Sequence, residues 1–157
     1  MRKRLIDSAS TTIQPRSESW LDLDAVATVE ITSEDKEFPV EAALSAEQTR
    51  GWRAAEPGSQ TIRLLFDERQ KLKHVSLLFE EKESARTQEF VLRWSSEKAG
   101  PLRELVRQQW NFSPPATTLA VEEYYVDLSN VAVVELTIVP DISGGGARAS
   151  LKSLRLV

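Results

Sequence analysis

Residues 28–55 read Thr-Val-Glu-Ile-Thr-Ser-Glu-Asp-Lys-Glu-Phe-Pro-Val-Glu-Ala-Ala-Leu-Ser-Ala-Glu-Gln-Thr-Arg-Gly-Trp-Arg-Ala-Ala. The stretch opens as a strand, because Ala27, Val29 and Ile31 alternate with Thr28, Glu30 and Thr32. A period of two is the mark of a half-buried strand. A long polar connection follows, carrying Pro39 and the short apolar run Ala42-Ala43-Leu44, with room for one helical turn between Val40 and Gln48. The stretch closes on Thr49-Arg50-Gly51-Trp52, and Gly58-Ser59-Gln60-Thr61-Ile62 begins the next strand.

The same period continues outward from this stretch. Ile62, Leu64 and Phe66 mark one strand, Val75, Leu77 and Phe79 another, and Phe90, Leu92 and Trp94 a third. Val121, Tyr124, Val126 and Leu128 mark a further strand, and Val133–Val139 and Leu151–Val157 close the series. Leu102–Gln109 is less regular. It reads as a strand, with a short helix over Gly100–Trp110 as the alternative that the spacing of Leu102, Leu105, Val106 and Gln109 allows. Gly, Pro, Asn, Asp and Ser separate these segments. The pattern predicts an all-β fold, a single jelly-roll β-sandwich of about eight antiparallel strands. Residues 1–19 are polar and read as a loose N-terminal arm, anchored by Trp20, Leu21 and Leu23. Residues 20–157 form the one sandwich domain.

Composition narrows the function. A chain of 157 residues fits one domain and needs no disulfide or metal to fold. A net charge of −4 argues against general nucleic-acid binding. The absence of cysteine excludes disulfides, thiolate zinc sites and thiol nucleophiles. Met1-Arg2-Lys3-Arg4 is basic, but Asp7, Ser8 and Ser10 interrupt any apolar region after it. No secretory signal or membrane span is expected, and a cytoplasmic location follows as an expectation.

Catalytic constellations are sparse. His74 is the single histidine. It could act as a base only beside a nucleophile and an orienting carboxylate, and otherwise reads as an exposed or edge-strand residue. Glu80-Glu81 and Glu122-Glu123 point to opposite faces of their strands and read as solvated. Gly144-Gly145-Gly146 lacks the helix and Lys-Ser or Lys-Thr of a phosphate cradle, and reads as a flexible loop. No catalytic residue, metal or cofactor is expected.

Strand parity supplies a binding-site candidate. The connections Glu81–Arg86, Asn111–Thr118 and Asp141–Arg148 should meet at one end, joined by Trp52–Ser59, while Asp67–Lys71 and Glu97–Pro101 lie at the other. The first end gathers Trp52, Arg53, Arg86, Trp110, Asn111, Phe112, Asp141 and Arg148, with Glu83 nearby. Aromatic faces can stack on a pyranose while Arg, Asn and Asp bond its hydroxyls. Trp110, Phe112 and Trp52 have a second reading as core residues, as Trp20 and Trp94 do outright. Arg86 and Arg148 have one as solvated cations.

Several of these segments carry a resemblance. Ser33–Leu44 resembles the first long loop of galactose-binding-like, discoidin-type sandwiches, and Thr49–Ala54 the Thr-x-x-Trp element after it. Gln60–Phe66 with Gln70-Lys71-Leu72, Thr87–Ser95 and Ala149–Leu156 are similar to later strands of that fold. The resemblance implies a relative of carbohydrate-binding modules, while intracellular members of the fold bind proteins. It also implies a structural calcium held near the Ala-Leu element and the final strand. Ser45-Ala46 and Lys152-Ser153 stand where an Asp-Gly pair and a Glu would be needed, so no calcium is expected there. The expected function is a non-catalytic module binding carbohydrate, with an intracellular protein-interaction or scaffold domain as the alternative.

Overall fold

The computed structural model describes residues 20–45 and 50–157. The expected N-terminal arm, with its basic Arg2-Lys3-Arg4 start, lies outside the described residues, as do Ala46 and the end of the helical turn expected up to Gln48. In chain order the elements are α1 (Leu23–Val26), β1 (Ala27–Ile31), α2 (Glu41–Leu44), β2 (Trp52–Pro57), β3 (Gln60–Glu80), β4 (Arg86–Ser95), β5 (Arg103–Phe112), β6 (Leu119–Val139), β7 (Arg148–Leu151) and β8 (Ser153–Leu156). Every named strand pair is antiparallel. The fold is an antiparallel β-sandwich of the jelly-roll kind.

Its frame is one pair of strands. β3 and β6 each run for 21 residues and pair from Gln60↔Ile138 to Glu80↔Leu119. Their register slips at three points between Leu65 and His74, and Asn130 of β6 has φ 59°. Such irregularities bend a strand and let it pass from one layer of a sandwich to the other. The first half of β3 pairs with β1 and the last half of β6 with β4, which β5 extends; the second half of β3 pairs with β8. The two layers meet face to face where the Phe79 and Phe90 rings lie 5.2 Å apart. Asp67–Lys71, expected as a connection between strands, is therefore the corner of one continuous strand. Leu128–Val133 is likewise continuous within β6. The helix considered over Gly100–Trp110 is strand β5, whose backbone pairs with β4 from Arg86↔Phe112 to Trp94↔Arg103. Pairing along ten residues outweighs a local spacing that fits either state.

Inward alternation is regular where a strand is covered on one face only. Ile62, Leu64 and Phe66 are buried while Thr61, Arg63 and Leu65 are partly open. On the outer face Arg63 bridges Glu30 at 2.8 Å and the buried Glu135 at 2.7 Å. Trp52 is 1% exposed, and its Nε1 donates to the Ser33 carbonyl at 3.0 Å. Gly51 precedes it with φ +81°, and a Cβ there would sit 2.7 Å from the Leu151 carbonyl oxygen. The turn into β2 therefore requires glycine.

Near the Ala42-Ala43-Leu44 run the structure places a side-chain cation. Arg155 of β8 donates to the carbonyls of Ala43 at 3.2 Å and Ser45 at 2.9 Å. Burial holds its guanidinium pKa below the ordinary value. The charge nonetheless meets backbone oxygens that leave it satisfied. Replacing Arg155 by Leu is expected to lower stability by about 2 kcal/mol. Calcium or a chelator should leave the melting temperature unchanged, which differential scanning calorimetry checks.

Candidate functional site

The small β2–β7 sheet lies at one end of the sandwich. Trp52 pairs with Leu151 and Arg53 with Ser150, and Gly58 bridges to Arg148. Trp52, Ala54, Ala149 and Leu151 face the core. Alternation turns Arg53, Arg148 and Ser150 the other way, with Arg53 and Arg148 exposed. Opposite them runs the β3–β4 connection, Glu81–Ala85. The turn Asp35–Phe38 closes one side, tied to β2 by the Asp35 and Arg53 amides, which donate to the Arg53 and Phe38 carbonyls.

Between these walls is a cleft of about 420 Å3. Its chemistry is that of planar cations against one ring. The guanidinium carbons of Arg50 and Arg53 each lie 4.8 Å from the centre of the Phe38 ring. Stacking on an aromatic face holds a guanidinium flat and leaves its N–H groups pointing outward. Arg148, Lys82 and Lys152 line the same cleft with Glu80, Glu81 and Glu83.

Arg86 has a different role. It is buried, donating at 2.7 Å to Glu81 and at 2.7 Å to the Pro140 carbonyl, with its carbon 5.0 Å from the Phe112 ring centre. It ties the β3–β4 connection to the one after β6. Burial pushes the Glu81 carboxyl up, but the hydrogen bonds from Arg86 and from the Glu83 and Ser84 amides outweigh this and hold it below the ordinary value. Two further bonds fasten the same end: Glu81 N–H to Thr118 O and Ile142 N–H to Thr87 O.

The residues expected from parity divide between two places. Trp52, Arg53, Arg86 and Arg148 line the cleft, Trp52 from beneath. Asn111, Phe112 and Asp141 border a second, shallower hollow beside Arg86 and Thr87. Phe112 is 1% exposed and Trp110 half-buried against the core, because both fall on the inward side of β5. Asn111 falls outward and accepts the Thr87 hydroxyl at 2.5 Å. Asp141 accepts from the amide and hydroxyl of Ser143, and these bonds lower its pKa. Phe38, Arg50, Lys82 and Lys152 were absent from the sequence-derived set. The only signals for them were an aromatic before Pro39 in a polar loop and the Arg-x-x-Arg frame around Gly51-Trp52.

The structure revises the readings of His74 and of the acidic pairs. His74 is 5% exposed and sits inside β3, between β6 and β8. Trp20 and Tyr125 cover its ring at 5.1 and 4.4 Å. Its Nε2 donates to Glu123 at 2.5 Å, and Ser76 donates to the other oxygen of the same carboxylate at 2.7 Å. Histidine and serine thus share a carboxylate rather than a proton, which is not a base–nucleophile arrangement. Glu122 turns to Tyr124, whose hydroxyl it accepts, and burial together with that carboxylate raises the tyrosine pKa. These acids are partnered, not simply solvated. Among the described residues no group of three or more His, Cys, Asp or Glu could hold a metal ion.

No protein-family model and no curated protein matches the chain. Solved structures do match in fold. A family 32 carbohydrate-binding module from a Clostridium perfringens family 31 glycoside hydrolase superposes with a TM-score of 0.63 at 17% identity, over 89% of this chain and 95% of that one. The family 32 module of AlyQ, solved with 4,5-unsaturated mannuronic acid, gives 0.61 at 17% identity over 84% and 95%. The family 32 module of Clostridium perfringens NanJ, solved with galactose, gives 0.60 at 14% identity over 87% and 96%. The fold is thus the galactose-binding-like sandwich of these modules. Among the described residues no helix is long and apolar enough to cross a membrane.

Replacing Arg86 by Leu removes one partner of a buried pair, at an expected loss of about 2–3 kcal/mol at pH 7, allowing for the partial exposure of Glu81. Because the folded Glu81 titrates below its unfolded value, this contribution is complete above the ordinary carboxylate range. It fades as pH falls through the depressed value. Urea unfolding of both proteins between pH 7 and pH 3 should show the gap narrowing in acid.

Proposed function

We propose that this protein is a non-catalytic carbohydrate-binding module whose site is the cleft between the β2–β7 sheet and the β3–β4 connection. The observation that carries the reading is the pairing of two guanidiniums with one ring, Arg50 and Arg53 on Phe38, inside a cleft of about 420 Å3. That volume lies within the roughly 300–1,000 Å3 of small-molecule sites. Guanidiniums already held over a ring lose less freedom when they bond a ligand, so more of the interaction appears as affinity. Arg148 offers a further planar donor set from the other strand. The shared fold with modules solved with a mannuronic acid derivative and with galactose supports the same reading. The mechanism is binding alone: planar donors meet hydroxyl or acid oxygens.

One observation favours a second reading, an intracellular protein-interaction or scaffold domain. Leu119, Val121 and Tyr125 stand 47%, 62% and 78% exposed along the outer face of β6. Apolar side chains aligned on one sheet face suit a protein partner.

A glycan-array screen tests the first reading. The wild type should bind a restricted set of glycans, and Arg53→Ala and Arg148→Ala should each weaken binding about tenfold, the loss of one charged hydrogen-bonding group. Trp110→Ala should lower stability without changing which glycans bind. Silence across the array, with capture of one protein abolished by Val121→Asp, would establish the second reading instead.

A further inference from the structure

We infer that the cleft takes an anionic glycan, one whose sugar carries a carboxylate or a sulfate ester, rather than a neutral one. The inference rests on the reading of the cleft as a saccharide site and adds the charge of the saccharide. Six cationic side chains line the cleft against three carboxylates, in a chain whose net charge is −4. A basic pocket in an acidic protein is local, and its field is focused by the walls around it.

The carboxylates offset only part of this charge, because two of them are engaged by Arg86, Lys82 and Lys152 and leave the other cations unmatched. Glu81 takes Arg86 and the amides of Glu83 and Ser84. Glu80 lies 3.5 Å from Lys152 and 3.7 Å from Lys82. Glu83 is the one acid of the cleft without an ion pair among the described residues. Arg50, Arg53 and Arg148 have no carboxylate partner there either. Three unpaired guanidiniums against one unpaired acid leave a net call for an anion.

The type of cation matters as well as the number. A guanidinium is a planar fork that matches the two oxygens of a carboxylate or sulfate, and charge-assisted bonds of this kind are about twice as strong as neutral ones. A neutral pyranose gives these groups hydroxyls but leaves their charge uncompensated. The cleft's limited size fits an acidic sugar unit better than a long polyanion track, and the overall negative charge disfavours nucleic acid.

Calorimetric titration of the full chain with an oligogalacturonate and with its carboxyl-reduced counterpart tests this directly, since the two differ only in the acid group. A sulfated oligosaccharide of similar length forms the third arm and separates carboxylate from sulfate as the source of the oxyanion. The acidic ligand, carboxylated or sulfated, should bind at least tenfold more tightly than the reduced one. Its affinity should fall several-fold between about 50 and 300 mM NaCl, because added salt shortens the Debye length and screens the attraction between the guanidiniums and the anion. Arg53→Ala and Arg148→Ala should remove the acid preference, while Arg148→Lys should keep part of it because charge remains without the fork. Equal binding of the reduced and acidic ligands would overturn the inference and leave the saccharide reading intact. Failure of every glycan to bind, neutral arms of the array included, would overturn that reading and this inference with it.

Discussion

The bend in the β3–β6 pair is the constraint on which the rest depends. Two strands of 21 residues stay hydrogen-bonded to each other through a corner, so one ladder supplies the centre of both layers. Leu72 and Val131, beside that corner, are fully buried, which fixes where it falls. The bend also brings both ends of the long pair to the same end of the molecule. Glu80 and Val139 are remote along the ladder, yet Arg86 joins Glu81 to Pro140 across one buried side chain. The cleft exists because those chain ends converge and the β2–β7 sheet closes over them.

Much of this was legible in the sequence, for a physical reason. A strand with one buried face must alternate, so Ile62, Leu64 and Phe66 or Leu77 and Phe79 declare themselves. A corner does not. At Asp67–Lys71 the residues are polar, as they would be in a turn, and only the partner strand keeps the backbone paired. β5 was ambiguous because its apolar residues are few and its register comes from β4. His74 looked exposed because neighbouring sequence says nothing of Trp20 and Tyr125 arriving over its ring.

The candidate site was legible in part. Parity of connections placed Arg53, Arg86 and Arg148 at one end, and the structure brings these three to one cleft. It could not separate Trp110 and Phe112 from Asn111, since alternation within β5 sends neighbours to opposite faces. It gave Arg86 and Arg148 the same standing, although one is buried beside a carboxylate and the other is open. Phe38 was invisible as a site residue because its role depends on two arginines that reach its ring only after β2 pairs with the Asp35–Phe38 turn. The charge pattern follows the same logic: acids near Arg86, Lys82 and Lys152 are used internally, whereas Arg50, Arg53 and Arg148 are left facing the cleft.

The central claim is that ligand enters between β2–β7 and the β3–β4 connection. Backbone amide shifts followed by NMR during titration with an acidic oligosaccharide test it most directly. The account predicts saturable shifts grouped at Phe38, Arg50–Arg53, Lys82–Ser84 and Arg148–Lys152, with Leu119–Tyr125 unmoved. Shifts centred on the outer face of β6, or on Asn111 and Asp141 with the cleft silent, would contradict it.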